Sequence, residues 1–117
     1  MLPGNARLTR ALIEESFKNK VFFTKSPFFT LRTSPLSVGG RSRFGVSVSK
    51  KELKTAVLRN RARRRMYAIL NEFRGSVRDG HAVLLSLKKE TATTSLDRLR
   101  EEVKKSLGAG GLLNPKP

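Results

Sequence analysis

Arg43-Phe44-Gly45-Val46-Ser47-Val48-Ser49 leads through a lysine-rich loop into residues 55–73, and these into Ala82-Val83-Leu84-Leu85-Ser86-Leu87. These three pieces decide the fold. The first alternates with period two: Phe44, Val46 and Val48 fall on one face, and Arg43, Gly45, Ser47 and Ser49 on the other. That is a strand packed on one side. In the second, Leu58, Ala62, Met66, Ile69 and Phe73 recur at spacings of four, four, three and four, one apolar stripe of an α-helix. The third is a nearly continuous apolar run, as expected of a central strand. The order is strand, basic helix, strand. If the two strands are parallel neighbours, general chirality rules favour a right-handed crossover.

Working outward, Leu8 to Lys18 reads as a short helix, with Leu8, Leu12 and Ile13 on one face and Phe17 extending it. Val21 to Thr24 reads as a short strand. Phe28 to Arg32 is a better one, with Pro27 at its start, where a missing N–H costs least. Thr33 to Ser42 carries the loop signals Ser, Pro and Gly39-Gly40. Gly75 is a stop for the long helix. Thr94 is a candidate cap for a last helix, with Asp97 three residues on. Leu96, Leu99, Val103 and Leu107 form its stripe, Lys104 and Lys105 suit its negative end, and Gly108 ends it. The expectation is an α+β domain in the order helix, two or three strands, helix, strand, helix, with the helices packed on a small sheet. It spans residues 1–107, opens with a loose arm at Met1 to Asn5, and ends in a flexible tail at residues 108–117.

Charge narrows the function. Lys and Arg number 25 against 9 Asp and Glu in 117 residues, a formal net charge of +16. Such a charge repels itself and draws polyanions, nucleic acid first and an anionic membrane surface second. Absence of cysteine excludes disulfides and thiolate metal sites. No apolar run reaches membrane-span length, and residues 1–10 lack an apolar signal core. A soluble, cytoplasmic protein is expected.

The cations concentrate in Arg59-Asn60-Arg61-Ala62-Arg63-Arg64-Arg65, five arginines in seven residues with no acid. Like charges one helical turn apart repel, so an outside polyanion is needed to neutralise them, and a phosphate backbone fits. On the helix wheel Asn60, Arg61, Arg63, Arg64 and Tyr67 point away from the apolar stripe, while Arg59 and Arg65 border it with stems free to pack. Lys50, Lys51 and Lys54 precede the helix N-terminus, itself suited to phosphate. Arginine forks onto phosphate or a base edge, and Asn60 can read a base. A solvated basic face is the plainer reading, and the density of charge argues against it.

Aromatic residues form the second constellation. Most of Phe17, Phe22, Phe23, Phe28, Phe29, Phe44, Phe73 and Tyr67 are needed for the core. In the pairs Phe22-Phe23 and Phe28-Phe29, neighbours on a strand point to opposite faces, which leaves one of each pair as a candidate platform for unpaired bases. Catalytic signals are weak. His81 is the only histidine and adjoins the Asp79-Gly80 turn, the acids suit helix faces, and no phosphate-binding glycine loop is present. No catalytic residue and no metal ligand is assigned.

Arg43-Phe44-Gly45-Val46-Ser47-Val48-Ser49-Lys50-Lys51, followed by Ala56-Val57-Leu58-Arg59-Asn60-Arg61-Ala62-Arg63-Arg64, resembles the protein subunit of bacterial ribonuclease P. Arg7-Leu8, the helix ending at Phe17, the Phe28-Phe29 strand and the Leu-rich last helix extend the resemblance over nearly the whole chain. The resemblance implies the family fold, a small sheet of about four strands with three helices in the order α-β-β-β-α-β-α, ribosomal protein S5 domain 2-like, with a left-handed β-α-β crossover in place of the right-handed one. It implies a partner catalytic RNA that hydrolyses precursor tRNA to release the 5′ leader, using Mg²⁺ held mainly by the RNA. It implies that Lys50, Lys51, Arg59, Asn60, Arg61, Arg63 and Arg64 bind the catalytic RNA, and Lys54, in the same basic loop, is expected to join them. Phe17 and Phe29 are then the expected leader contacts, in a cleft between the first helix and the sheet. Ile13 stands where the family often has a second aromatic, and Tyr67-Ala68 where it often has Arg-Glu. A general RNA-binding or ribosomal protein, and a free-standing nuclease, are the alternative readings.

Overall fold

The computed structural model describes residues 6–18 and 21–113. The expected arm at residues 1–5 and the last four residues of the expected tail lie outside them. Helix α1 (Arg10–Ser16) precedes strands β1 (Phe22–Lys25), β2 (Phe29–Pro35) and β3 (Arg43–Val48). Helix α2 (Ala56–Phe73), strand β4 (His81–Leu87) and helix α3 (Leu96–Ala109) follow. Short 3-10 turns at Arg74–Ser76 and Lys89–Ala92 flank β4. This is the expected α-β-β-β-α-β-α order. No helix among the described residues is long and apolar enough to cross a membrane.

The sheet order is β1-β2-β4-β3. Strand β4 is central, antiparallel to β2 and parallel to β3, so α2 is the crossover between adjacent parallel strands. Period-two alternation divides the sheet into two faces. One face carries Phe29, Leu31, Phe44, Val46, Val83, Leu85 and Leu87, all buried against Ala62, Met66, Ile69 and Leu70 of α2 and Leu99, Val103 and Leu107 of α3. Burying these side chains supplies most of the folding drive, at roughly 1.5–3 kcal/mol each. The α2 stripe starts later than its periodicity suggests: Leu58 is 40% exposed, and Leu70 is buried instead.

The other face is only partly covered. Across the strands, Phe23 aligns with Arg32, Leu84 and Gly45, and Lys25 aligns with Thr30, Ser86 and Ser47. The chain leading into α1 closes one end of this face. Leu8 donates its N–H to the Phe44 carbonyl at 2.8 Å and lies over Gly45. A Cβ at residue 45 would stand 3.1 Å from Leu84 Cδ1 and 3.4 Å from Leu8 Cβ, so glycine permits the close approach. At the other end of α1, Ser16 accepts from the Ser34 hydroxyl and from the Ser37 N–H. Thr9 caps the helix by accepting from Leu12 N at 3.2 Å.

Several boundaries differ from expectation: helix α1 starts at Arg10, so Leu8 lies before it, and Phe28 lies before β2. Strand β2 runs on to Pro35 because Thr33 and Ser34 pair with β4, although their polar side chains read as loop. The cap of α3 is Ser95, whose hydroxyl accepts from Arg98 N, and not Thr94. The domain does not stop at residue 107. Helix α3 continues to Ala109, and Gly111 turns the chain at φ +68°. Leu112 is then buried, its N–H bonded to the Leu107 carbonyl and its carbonyl to Arg78 N. Residues 108–113 of the expected tail are therefore docked, with Leu113 bridged to Val77.

Candidate nucleic-acid interface

The loop from β3 to α2 is held from below. Leu53 is buried, Glu52 and Leu53 donate their N–H groups to the Ser49 carbonyl, and the Glu52 carboxylate accepts from Lys89 N at 3.0 Å. These contacts fix the loop while Lys50, Lys51 and Lys54 remain exposed. Thr55 caps α2 by accepting from Leu58 N at 3.2 Å.

Along α2 the arginines separate into two kinds. Arg59 Nη1 donates to the carbonyls of Leu53 at 2.9 Å and Lys54 at 3.0 Å, clasping the loop. Arg65 donates to the carbonyls of Thr91 at 3.1 Å and Thr94 at 2.7 Å, clasping the segment before α3. Both border the core stripe, as the wheel implies, and both donate to backbone carbonyls. Arg59 therefore clasps the loop through Nη1, which leaves the rest of its half-buried guanidinium beside the expected RNA contacts. Arg61 and Arg64 are exposed. Arg63 donates to Asn60 Oδ1. The four ion pairs of the described residues, Arg10–Glu14, Lys18–Glu15, Arg100–Glu72 and Arg100–Asp97, lie elsewhere. Arg100 has its pKa raised by the hydrogen bond to Glu72 and then by the charges of Glu72 and Asp97. No acid pairs with a cation of the loop or of the arginine run among the described residues.

Arg7, Val57, Asn60, Arg63, Arg64, Tyr67 and Ala68 line a cleft of about 680 Å³. Arg7 lies over the Tyr67 ring at 4.8 Å. The Tyr67 hydroxyl accepts from Val46 N at 3.2 Å, so this residue, where the sequence departs from the family pattern, packs the helix onto the edge of β3. Arg7, quoted in the resemblance without a role, is brought here by its bridge to Phe44 and by its place over Tyr67.

The aromatic assignment needs one correction. Phe29 is fully buried on the helix-covered face and offers no surface to a base. The opposite-faces rule failed for the Phe28-Phe29 pair because Phe28 lies in the bend before β2, not in the strand. Phe28 packs against the core, with Arg98 5.7 Å from its ring. Within β1 the rule holds. Phe22 is on the helix side, and Phe23, 56% exposed, is on the open face. Lys25 Nζ stands 6.0 Å from the Phe23 ring, and Arg32 is its cross-strand partner. Phe17, at the C-terminal cap of α1, is half-buried. Between Lys25 and the lysine loop, Thr30, Ser47, Val48, Ser49, Glu52, Ser86, Leu87 and Lys88 line a shallow groove, with Ser47 Oγ 3.3 Å from Ser86 Oγ.

The structure thus defines a small α+β protein with a mixed four-stranded sheet, one strongly basic crossover helix and a hydroxyl-lined open face. The Ribonuclease P family model matches residues 2–109, and the chain belongs to that family. It is 29% identical over 73 residues to the Ribonuclease P protein component of Synechocystis, covering 62% of this chain and 59% of that protein. It is likewise 29% identical over 75 residues to that of Microcystis aeruginosa, covering 64% of this chain and 62% of that protein. The matched segment thus spans about three fifths of these relatives. The fold matches the RNase P protein of Staphylococcus aureus with a TM-score of 0.78 at 19% identity, over 93% of this chain and 98% of that one. It matches that of Thermotoga maritima with a TM-score of 0.71 at 20% identity, over 85% and 92%.

Proposed function

We propose that the chain is the protein component of ribonuclease P, which assists a catalytic RNA in removing the 5′ leader of precursor tRNA. One observation carries this reading: in a chain of this family, an array of cations that no acid pairs with among the described residues lies beside a polar groove on an open sheet face. Lys50, Lys51, Lys54, Arg61, Arg63 and Arg64, with Asn60, form the array and bind the catalytic RNA. Their charges need phosphate to relieve mutual repulsion, and the caps and clasps beneath them hold the loop and helix in place without consuming these groups.

The leader runs along the open face. Phe23 supplies a ring for one unpaired base, Lys25 and Arg32 meet the adjoining phosphates, and Thr30, Ser47 and Ser86 hydrogen-bond along the path toward Lys50 and Lys51. Phe17 borders the same face from α1. The Mg²⁺ implied by the family belongs to the RNA in this reading. The protein binds and positions, and the RNA does the chemistry.

Filter binding of the purified chain to a bacterial ribonuclease P RNA tests the assignment. The Arg61→Ala, Arg64→Ala double variant should fold normally by circular dichroism and bind the RNA at least tenfold more weakly, since charge-assisted phosphate contacts are worth about 1.5–3 kcal/mol. Unchanged affinity in the folded double variant sinks the assignment of α2.

A further inference from the structure

We infer that Glu52 makes the open-face groove a reader of ribose 2′-hydroxyls, an inference that rests on the reading of this face as the leader path. The strand register sets Thr30, Ser86 and Ser47 side by side on β2, β4 and β3. Their hydroxyls therefore form a row across the sheet, one strand spacing apart, about 4.8 Å. Glu52 stands at the β3 end of this row. It is the one acid among the residues that line this groove of about 310 Å³. Its Oε1 accepts from Lys89 N at 3.0 Å, and no cation pairs with the carboxylate among the described residues.

A carboxylate on the path of a polyanion repels it unless the ligand brings a donor to meet the charge. Phosphate oxygens only accept, so Glu52 turns them out of the groove toward the exposed Lys50 and Lys51. Holding the loop needs no charge, because a neutral amide oxygen could accept from Lys89 N equally well. The ribose 2′-hydroxyl donates as well as accepts, and it is the group by which a protein tells RNA from DNA. It can donate to Glu52 and accept from the hydroxyls beside it. Ser47 Oγ and Ser86 Oγ, 3.3 Å apart, share one proton, which leaves the pair one further proton and free lone pairs. Ser49 Oγ accepts from Glu52 N at 3.3 Å and keeps its own proton to donate. A base amino group is the other donor that could meet the carboxylate, and uracil carries none.

Fluorescence anisotropy of the full chain with three nonamers tests this: oligouridine, oligo-2′-deoxyuridine and oligo-2′-O-methyluridine, at fixed low salt. Base and phosphate are the same in all three, and the 2′-O-methyl sugar keeps the acceptor but loses the donor. Wild type should bind oligouridine about tenfold more tightly than either modified oligomer, the scale of one hydrogen bond to a charged group. Glu52→Gln keeps an acceptor for Lys89 N and should melt near wild type. It should bind the two modified oligomers more tightly than wild type does, which nearly erases the preference; a merely structural role for Glu52 would not produce that gain. Phe23→Ala should weaken all three together and leave the ratios intact. Equal binding of the three by wild type, still tight and salt-sensitive, overturns the sugar reading and leaves the leader path standing. So does a 2′-O-methyl oligomer that binds as tightly as oligouridine, or a preference that survives in Glu52→Gln. Loss of binding to every oligomer and to the ribonuclease P RNA overturns both readings.

Discussion

The Tyr67 hydroxyl of α2 accepts a hydrogen bond from the Val46 N–H of β3 at 3.2 Å. An edge strand otherwise exposes such groups. This bond, together with the Leu8 N–H on the Phe44 carbonyl, covers part of the outer edge of β3 and locks the basic helix to the sheet. Removing only the hydroxyl should be measurable. Tyr67→Phe should lower unfolding free energy by about 1 kcal/mol in urea denaturation, the usual net worth of one hydrogen bond. Its affinity for the catalytic RNA should change less than twofold, because the ring remains under Arg7.

Phe29 and Phe23 should behave oppositely. Phe29→Ala empties a fully buried site and should cost about 3–5 kcal/mol of stability. Phe23→Ala should change stability by less than about 0.5 kcal/mol. It should weaken binding of a single-stranded leader RNA by roughly 1–3 kcal/mol, the cost of losing one stacked base. Denaturation and leader titrations on the same two variants check both halves.

Arg65 and Arg61 make a second contrasting pair. Arg65→Ala releases the carbonyls of Thr91 and Thr94, and should destabilise the fold by about 1.5–3 kcal/mol. Arg61 is exposed, so Arg61→Ala should leave the melting temperature nearly unchanged and weaken RNA binding. Thermal melts and filter binding separate the two. Equal loss of stability in both variants would contradict the division between clasp and contact arginines.

Six cations, Lys50, Lys51, Lys54, Arg61, Arg63 and Arg64, form the proposed surface. If each neutralises one phosphate, log affinity for single-stranded RNA should fall against log salt with a slope near −4. A flat dependence would show that charge does not drive binding.

Much of this was readable along the chain, and the reasons differ by element. The alternation of β3 and the four-four-three-four stripe of α2 are local patterns, and each has one structural solution. The division of the arginines also followed from helix geometry, since Arg59 and Arg65 border the buried stripe and find carbonyls there. The open groove was not legible, because the row Lys25, Thr30, Ser86, Ser47 depends on the register of four strands. Phe29 was misassigned as a leader contact because the alternation rule needs both residues inside the strand, and Phe28 is outside it. The docked segment after α3 was hidden by its glycines, which read as mobility but include Gly111, whose positive φ returns Leu112 to the core.

The most direct measurement of the central claim is cleavage of precursor tRNA at low Mg²⁺. A bacterial ribonuclease P RNA and the purified, nuclease-treated chain are assayed separately and together. The account predicts little 5′ processing from either alone and correct release of the leader when they are combined. Failure of the chain to restore processing, or cleavage by the chain without the RNA, would contradict it.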